Sequence, residues 1–195
     1  MRRSANFIVG FVVIGAILCV QWWAILAQGA GLFVRDVVSF AAASKAYWAE
    51  RILAGELPLW APHLGGGMPF LADPANQSFY PANALFLLPG VDVFDGLNCF
   101  ILLHMVGACA SVVLLCRRLG IGGAATVYAA LTFVLSGYVL SIADNVTYLP
   151  AAVWAPALIA ALVGHDRARV SLRELAVAAV CFALMVVAGD PINAM

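Results

Sequence analysis

The chain has 195 residues, of which 65% are hydrophobic and 10% are charged, with ten acidic and ten basic side chains. So few polar side chains cannot cover the surface of a water-soluble globule of this size, which excludes an ordinary soluble enzyme. The net charge of zero carries no signal for a nucleic-acid partner. The composition therefore predicts an all-α integral membrane protein.

Five stretches are apolar enough and long enough to cross a hydrocarbon core, which needs roughly 20 helical residues. They lie near 6–28, 97–116, 124–142, 147–164 and 172–189. The first stretch is long for the apolar part of a cleaved signal peptide, so we predict a retained anchor. We expect a single membrane domain over 1–195, in which a long loop at 29–96 separates the first span from four closely linked spans.

The positions of the charges predict how these spans are oriented. Most basic side chains fall on one side if the N-terminus is cytoplasmic: Arg2, Arg3, Arg117, Arg118, Arg167, Arg169 and Arg173. Eight of the ten acids fall on the other side. The positive-inside rule then places loop 29–96 outside, and we predict a multi-pass protein of the inner (plasma) membrane with a cytoplasmic N-terminus.

The loop begins with a segment, Val37 to Ala54, that is rich in alanine and carries few charges. Its composition predicts a helix lying in the membrane interface, with Tyr47 and Trp48 at headgroup depth. Gly55 is a good C-terminal cap for such a helix. Further along, Ala82 to Leu88 is too short to span and is expected to dip into the interface.

Six of the nine prolines fall between residues 58 and 89, so this part of the loop cannot be a regular helix or a central strand. Aromatic side chains alternate with the prolines, which indicates a folded loop rather than a flexible linker. The Gly65, Gly66, Gly67 run lacks the Lys and Ser/Thr of a nucleotide loop and follows no strand. A tight turn is the better interpretation.

Three acids are expected at the outer rim of the bundle: Asp36 after the first span, Asp144 in the turn between the third and fourth spans, and Asp190 after the fifth. Each also has a simpler interpretation, since acids are common at interfaces, in turns and at helix ends. His63 in the loop is either a substrate contact or a solvated side chain, and His104 is more typical of a hydrogen bond between helices.

The five cysteines all fall within predicted spans, where they behave as small apolar residues. No spacing of Cys and His indicates a zinc site.

The run "GELPLWAPHLGGGMPFLADPANQSFYPANALFLLP", preceded by Asp36, resembles the YfhO-like multispanning bacterial proteins. Looser matches continue through "SGYVLS", "LPAAVWAPALIAAL" and "VVAGDP". These proteins are placed in the GT-C class of membrane glycosyltransferases. The resemblance implies a GT-C-like bundle that transfers a sugar from a polyprenyl-phosphate donor to an acceptor at the extracytoplasmic face.

The resemblance also implies roles for individual residues. Asp36 would be the catalytic base, Arg35 would steady the phosphate, and Trp60, Phe79 and Tyr80 would offer flat faces to the sugar or the lipid. Further candidate substrate contacts are His63, Asp73, Gln77, Asp144 and Asp190. The implied chemistry requires no cofactor and leaves the need for a divalent metal open.

The chain ends in "GDPINAM", where the fifth span should emerge, so we expect an N-terminal part of a larger bundle that is inactive alone. Two alternatives remain: a non-catalytic membrane scaffold, and a transporter of a lipid-linked substrate. The spans hold no mid-depth ionisable residue beyond His104, which counts against transport.

Overall fold

The computed structural model describes residues 15, 16, 20, 36–163 and 171–189. Almost all of the predicted first span lies outside these residues. Within them the regular structure is helical, and the one β-type pairing is an isolated bridge between Ala61 and Met68. The prediction of an all-helical chain is confirmed for this part of the molecule.

The predicted helix at the start of the loop is present. A π-helical turn, Val37–Ala41, continues into helix α1, Ala42–Leu53, and Gly55 follows with a φ of +75° that suits glycine.

The headgroup depth expected for Trp48 stays a prediction. Within the protein its side chain is buried, at 7% exposed, and its Nε1 donates to Ser78 O at 3.1 Å. Tyr47 is half-buried and donates its hydroxyl to Trp60 O at 2.6 Å. Residues three or four positions apart lie on the same face of a helix. In α1 this face packs against the rest of the loop and against the helix that follows.

The proline-rich part of the loop folds into turns and two short 3-10 helices, Pro74–Asn76 and Pro81–Leu87. Each begins with proline, whose fixed φ suits a first helical position. The three glycines at 65–67 all have positive φ, which confirms the predicted tight turn. The segment expected to dip into the interface forms the second 3-10 helix, with Phe86 in the core, and its depth in the interface stays a prediction.

Five further helices form the bundle: α2 Val93–Arg118, α3 Ala124–Val134, α4 Gly137–Ile142, α5 Tyr148–Leu162 and α6 Leu172–Val187. Two segments, Val93–Arg118 and Ala124–Ile142, are long and apolar enough to cross a membrane. The second is interrupted where Ser136 caps α4, its side chain accepting from Val139 N at 3.2 Å. The described residues thus supply two candidate spans.

Helix α5 packs between α2 and α6, and α2 also packs against α3. Gly107 allows α5 to approach closely, since a Cβ there would lie 3.1 Å from Val153. At one end of the bundle Arg118 Nη1 lies 3.2 Å from Glu174 Oε1. The loop covers the opposite end, where α2 begins and α6 finishes.

Candidate functional site

Three parts of the chain meet at the loop end of the bundle: the start of the loop, the turn between α4 and α5, and the end of α6. Together with Ala75 of the first 3-10 helix they line an open cavity of about 400 Å³, and Asp36 is part of its wall. Its other lining residues are Phe40, Ala41, Ala75, Asn145, Val146, Thr147, Tyr148 and Gly189. We call this the Asp36 cavity.

Asp36 is exposed, and its Oδ2 accepts a hydrogen bond from Asn145 Nδ2 at 3.1 Å. Asn145 is itself fixed, because its Oδ1 accepts from Thr147 N at 3.1 Å. The Asp36 carboxylate is therefore oriented through one oxygen. Phe40 and Tyr148 add aromatic surface to a cavity that also holds this acid. The arrangement can accept a proton from a polar ligand and contact an apolar ring face.

Beneath the loop, Lys45 forms the centre of a buried polar cluster, although its side chain is only 1% exposed. Its Nζ donates to Gln77 Oε1 at 2.7 Å, to Asn83 Oδ1 at 2.8 Å and to Asn76 O at 3.3 Å. All three partners are neutral oxygens from the "PANQSFYPAN" segment. The lysine thus joins α1 to both 3-10 helices.

The neighbours of this cluster complete its hydrogen bonding. Ser44 Oγ donates to Asn76 Oδ1 at 2.9 Å, and Asn76 Nδ2 donates to Phe70 O at 2.8 Å. Asn83 Nδ2 donates to Gln77 O at 2.6 Å. Because buried amides are costly unless paired, these bonds explain how the "PANQSFYPAN" segment can bury its three amide side chains and fold tightly.

Burial lowers the pKa of Lys45 from its ordinary value of 10.5 to about 7, since the interior disfavours the charged form. Two rings lie near the amine, with Nζ 5.7 Å from the Phe100 centroid and 6.0 Å from that of Phe86. Such ring faces attract a cation and partly offset its desolvation.

A second polar chain lies between the loop and the bundle. His104 Nδ1 lies 2.6 Å from Phe100 O, so it carries the proton and donates to that carbonyl. His104 Nε2 then accepts from the Tyr80 hydroxyl at 2.6 Å, and the same hydroxyl accepts from Trp154 Nε1 at 3.0 Å. Burial raises the pKa of Tyr80 to about 12, so this hydroxyl keeps its proton. His104 is thus a hydrogen-bonding residue, as expected, but its partner Tyr80 belongs to the loop rather than to another span.

Tyr80 and His104 also border an apolar cavity of about 630 Å³ between α2 and α5. Its walls include Leu103, Gly107 and Leu114 of α2 and Val153 of α5. The cavity is suited to an apolar chain rather than to a sugar.

The structure separates the predicted site residues into groups. Asp36 lines a cavity. Asp144 is not among the residues that line this cavity, although its neighbour Asn145 contacts Asp36. Arg35 and Asp190 lie outside the described residues, while Gly189, just before Asp190, belongs to the cavity wall.

The three aromatic residues to which the resemblance gave a role, Trp60, Phe79 and Tyr80, are not brought to Asp36. Trp60 and Phe79 are 56% and 68% exposed, and neither lines the Asp36 cavity. Exposed His63 also lies outside its lining, and Tyr80 contacts the apolar cavity instead.

Two residues predicted to contact the substrate, Asp73 and Gln77, instead make hydrogen bonds that stabilise the loop. Asp73 Oδ1 accepts from Ala75 N at 2.9 Å and caps the first 3-10 helix. Gln77 is 1% exposed, and its amide is fully engaged inside the protein. Both side chains belong to the framework of the loop.

Sequence reasoning missed the parts played by Lys45, Asn145, Tyr148 and Phe40. A signal for Lys45 was present, because it falls on the same helical face as Ala41, Trp48 and Ala49, all of which are buried. The Asn145 contact spans 109 positions and has no local signature.

Within residues 36–163 and 171–189, no three His, Cys, Asp or Glu side chains come together as a metal site would require. Comparisons with protein-family models, with curated proteins and with solved structures find no match to this chain.

Proposed function

We propose that this chain is part of a membrane glycosyltransferase that moves a sugar from a polyprenyl-phosphate donor to an acceptor at the extracytoplasmic face, for modification of a cell-envelope glycan or polymer. The observation that carries the proposal is the Asp36 cavity. It combines an oriented carboxylate with aromatic surface at the end of the bundle that the loop covers.

The chemistry requires one base. A lipid-phosphate leaving group departs as a stabilised anion and needs no proton, unlike the sugar oxygen that requires a second carboxyl group in glycosidases. Asp36 would take the proton of the acceptor hydroxyl as that oxygen bonds to the anomeric carbon and the bond to the phosphate breaks. The anomeric configuration would invert.

Two further features support the proposal. The apolar cavity between α2 and α5 has a size and lining that fit part of an isoprenoid chain. Arg35, next to Asp36 in the chain, remains the candidate for holding the phosphate by charge-assisted hydrogen bonds.

We also propose five spans, a cytoplasmic N-terminus and an extracytoplasmic loop. The loop, the turn before α5 and the end of α6 share one end of the bundle, as alternating membrane crossings require. Arg118 and Glu174 meet at the other end. Arg117 and Arg173 adjoin them in the chain, which is the arrangement that the positive-inside rule favours.

The test is Asp36→Asn in the full-length protein, reconstituted in lipid vesicles with a panel of polyprenyl-phosphate hexoses and pentoses. Consumption of donor is followed by chromatography. We expect transfer to fall by about 10²- to 10⁴-fold, the usual range for loss of a general base. Asp95→Asn is the matched control, because Asp95 is an exposed acid in the first turn of α2 and is outside the cavity.

Wild-type rates in Asp36→Asn would remove Asp36 as the base. If the parent protein consumed none of the donors, the transferase proposal would fail in favour of a scaffold or a transporter of a lipid-linked substrate.

A further inference from the structure

Gln77 connects the buried cluster to the walls of the Asp36 cavity. Its Oε1 accepts from Lys45, while its Nε2 donates to Val146 O at 2.7 Å and to Ala188 O at 2.5 Å. Val146 lines the cavity and follows Asn145, which holds Asp36. Ala188 directly precedes Gly189, which also lines the cavity.

The orientation of this amide is determined from both sides. An amide has one acceptor end and one donor end, and rotating it by 180° would exchange them. The Lys45 amine requires the oxygen on its side, and the two carbonyls require the NH₂ group on theirs. Lys45 therefore ensures that both amide hydrogens reach the two wall segments.

The backbone shows that this placement is enforced. Gln77 has a φ of +56° and is the one residue other than glycine with a positive φ in the described part of the chain. Left-handed backbone is unfavourable for a residue with a side chain and persists where the surroundings compel it. Gly189 adds a second tie, because its backbone packs so closely on Pro74 O that a Cβ would overlap with it.

We propose that Lys45 and Gln77 are positioning residues of the Asp36 cavity. Together they hold the turn before α5 and the end of α6 at the spacing that orients Asp36. That this positioning matters for catalysis rests on the proposed function. The hydrogen bonds that join Lys45 and Gln77 to the cavity walls do not depend on what the cavity binds.

The decisive variant is Gln77→Glu. It keeps one oxygen for Lys45 and places a second oxygen, in place of the NH₂ group, against the carbonyls of Val146 and Ala188. The contact within the loop survives while both bonds to the walls are lost. Lys45→Met removes the same link from its other end.

Ser44→Ala is the matched control. Ser44 is the neighbour of Lys45 on α1, is equally buried and bonds to the same loop through Asn76. It makes no bond to Gln77.

The first measurement is amide hydrogen exchange of the full-length protein in lipid nanodiscs. In Gln77→Glu we expect exchange to rise about tenfold in peptides covering 143–149 and 185–189, as lost hydrogen bonds allow local opening. Exchange in the middle of α2 should stay unchanged, and Ser44→Ala should leave both wall peptides at wild-type rates.

The second measurement is transfer of sugar from the donor found active for the wild type. Displacing a base by about 1 Å costs up to roughly 100-fold in rate. We expect kcat of Gln77→Glu to fall about 10- to 100-fold with KM within about threefold, because the loss concerns orientation.

Unchanged exchange at 143–149 and 185–189 in Gln77→Glu would overturn the positioning role, whatever the transfer rates. A rise that extends equally through α2 would also overturn it, since Gln77 would then support the whole fold. If exchange rises in the two wall peptides while kcat is unaltered, Gln77 holds the cavity walls but has no part in orienting the base. If the wild-type protein shows no sugar transfer, the proposed function fails. The exchange data alone then decide whether Gln77 holds the two wall segments together.

Discussion

Lys45→Met should remove a dependence of stability on pH that the buried amine creates. The amine titrates near pH 7 in the folded protein and near 10.5 when exposed. Between these values the unfolded chain binds more protons than the folded one, so stability rises with pH. Below pH 7 both states are protonated and the group contributes no slope.

The size of the effect follows from these two pKa values. Between pH 7 and pH 9 the unfolded lysine remains charged while the folded one loses its proton, which stabilises the fold by about 2 kcal/mol. For a chain of this length that corresponds to roughly 4 to 8 °C in Tm.

The assay is thermal unfolding followed by tryptophan fluorescence in detergent, at pH 7, 8 and 9. Trp48 and Trp154 are suitable reporters, because each donates a hydrogen bond within the loop or to it. The quantity compared is the difference in Tm between wild type and Lys45→Met, in which the titration of shared groups cancels. Ser44→Ala should follow the wild-type curve.

We expect the wild type to gain Tm relative to Lys45→Met as the pH rises. Parallel curves for the two proteins would refute the reasoning, because they would mean that Lys45 titrates in the folded state as it does in water.

Two further substitutions test the packing of the loop on the bundle. Gly189→Ala should lower the free energy of unfolding by about 3 kcal/mol, because a Cβ at a φ of +91° would overlap with Pro74 O. The control is Gly137→Ala, at an open helical position, which should be neutral or stabilising in the same thermal assay. Tyr80→Phe should lower the free energy of unfolding by roughly 2 to 4 kcal/mol, because the lost hydroxyl leaves a histidine acceptor and an indole donor unpaired. A Tm within about 2 °C of wild type would show that both groups find other partners.

Much of the architecture was predictable because it depends on local properties. The helix over Val37 to Ala54 follows from composition and a capping glycine, and the turn at 65–67 from three consecutive glycines. The irregular loop follows from prolines that fix φ and remove donors. Asp36 was singled out from its position and from the resemblance, and it does line a cavity.

The parts of the site that depend on distant pairs could not be predicted in this way. The Asp36 to Asn145 bond joins positions 109 apart, and the Gln77 to Ala188 bond joins positions 111 apart. Gln77 was predicted as a substrate contact, yet its side chain is 1% exposed. Its buried, fully bonded state depends on partners that no local pattern specifies.

The sequence by itself determined the all-helical class of the described residues, the helix that begins the loop, and the turns at proline and glycine. These follow from periodicity, hydrophobicity and the geometry of proline and glycine, which act over a few residues. Only the tertiary structure decided that Trp48 and Lys45 face inward and that Gln77 ties the loop to the bundle. Burying an amine requires several acceptors at once, and packing alone brings them from separate parts of the chain to a single point.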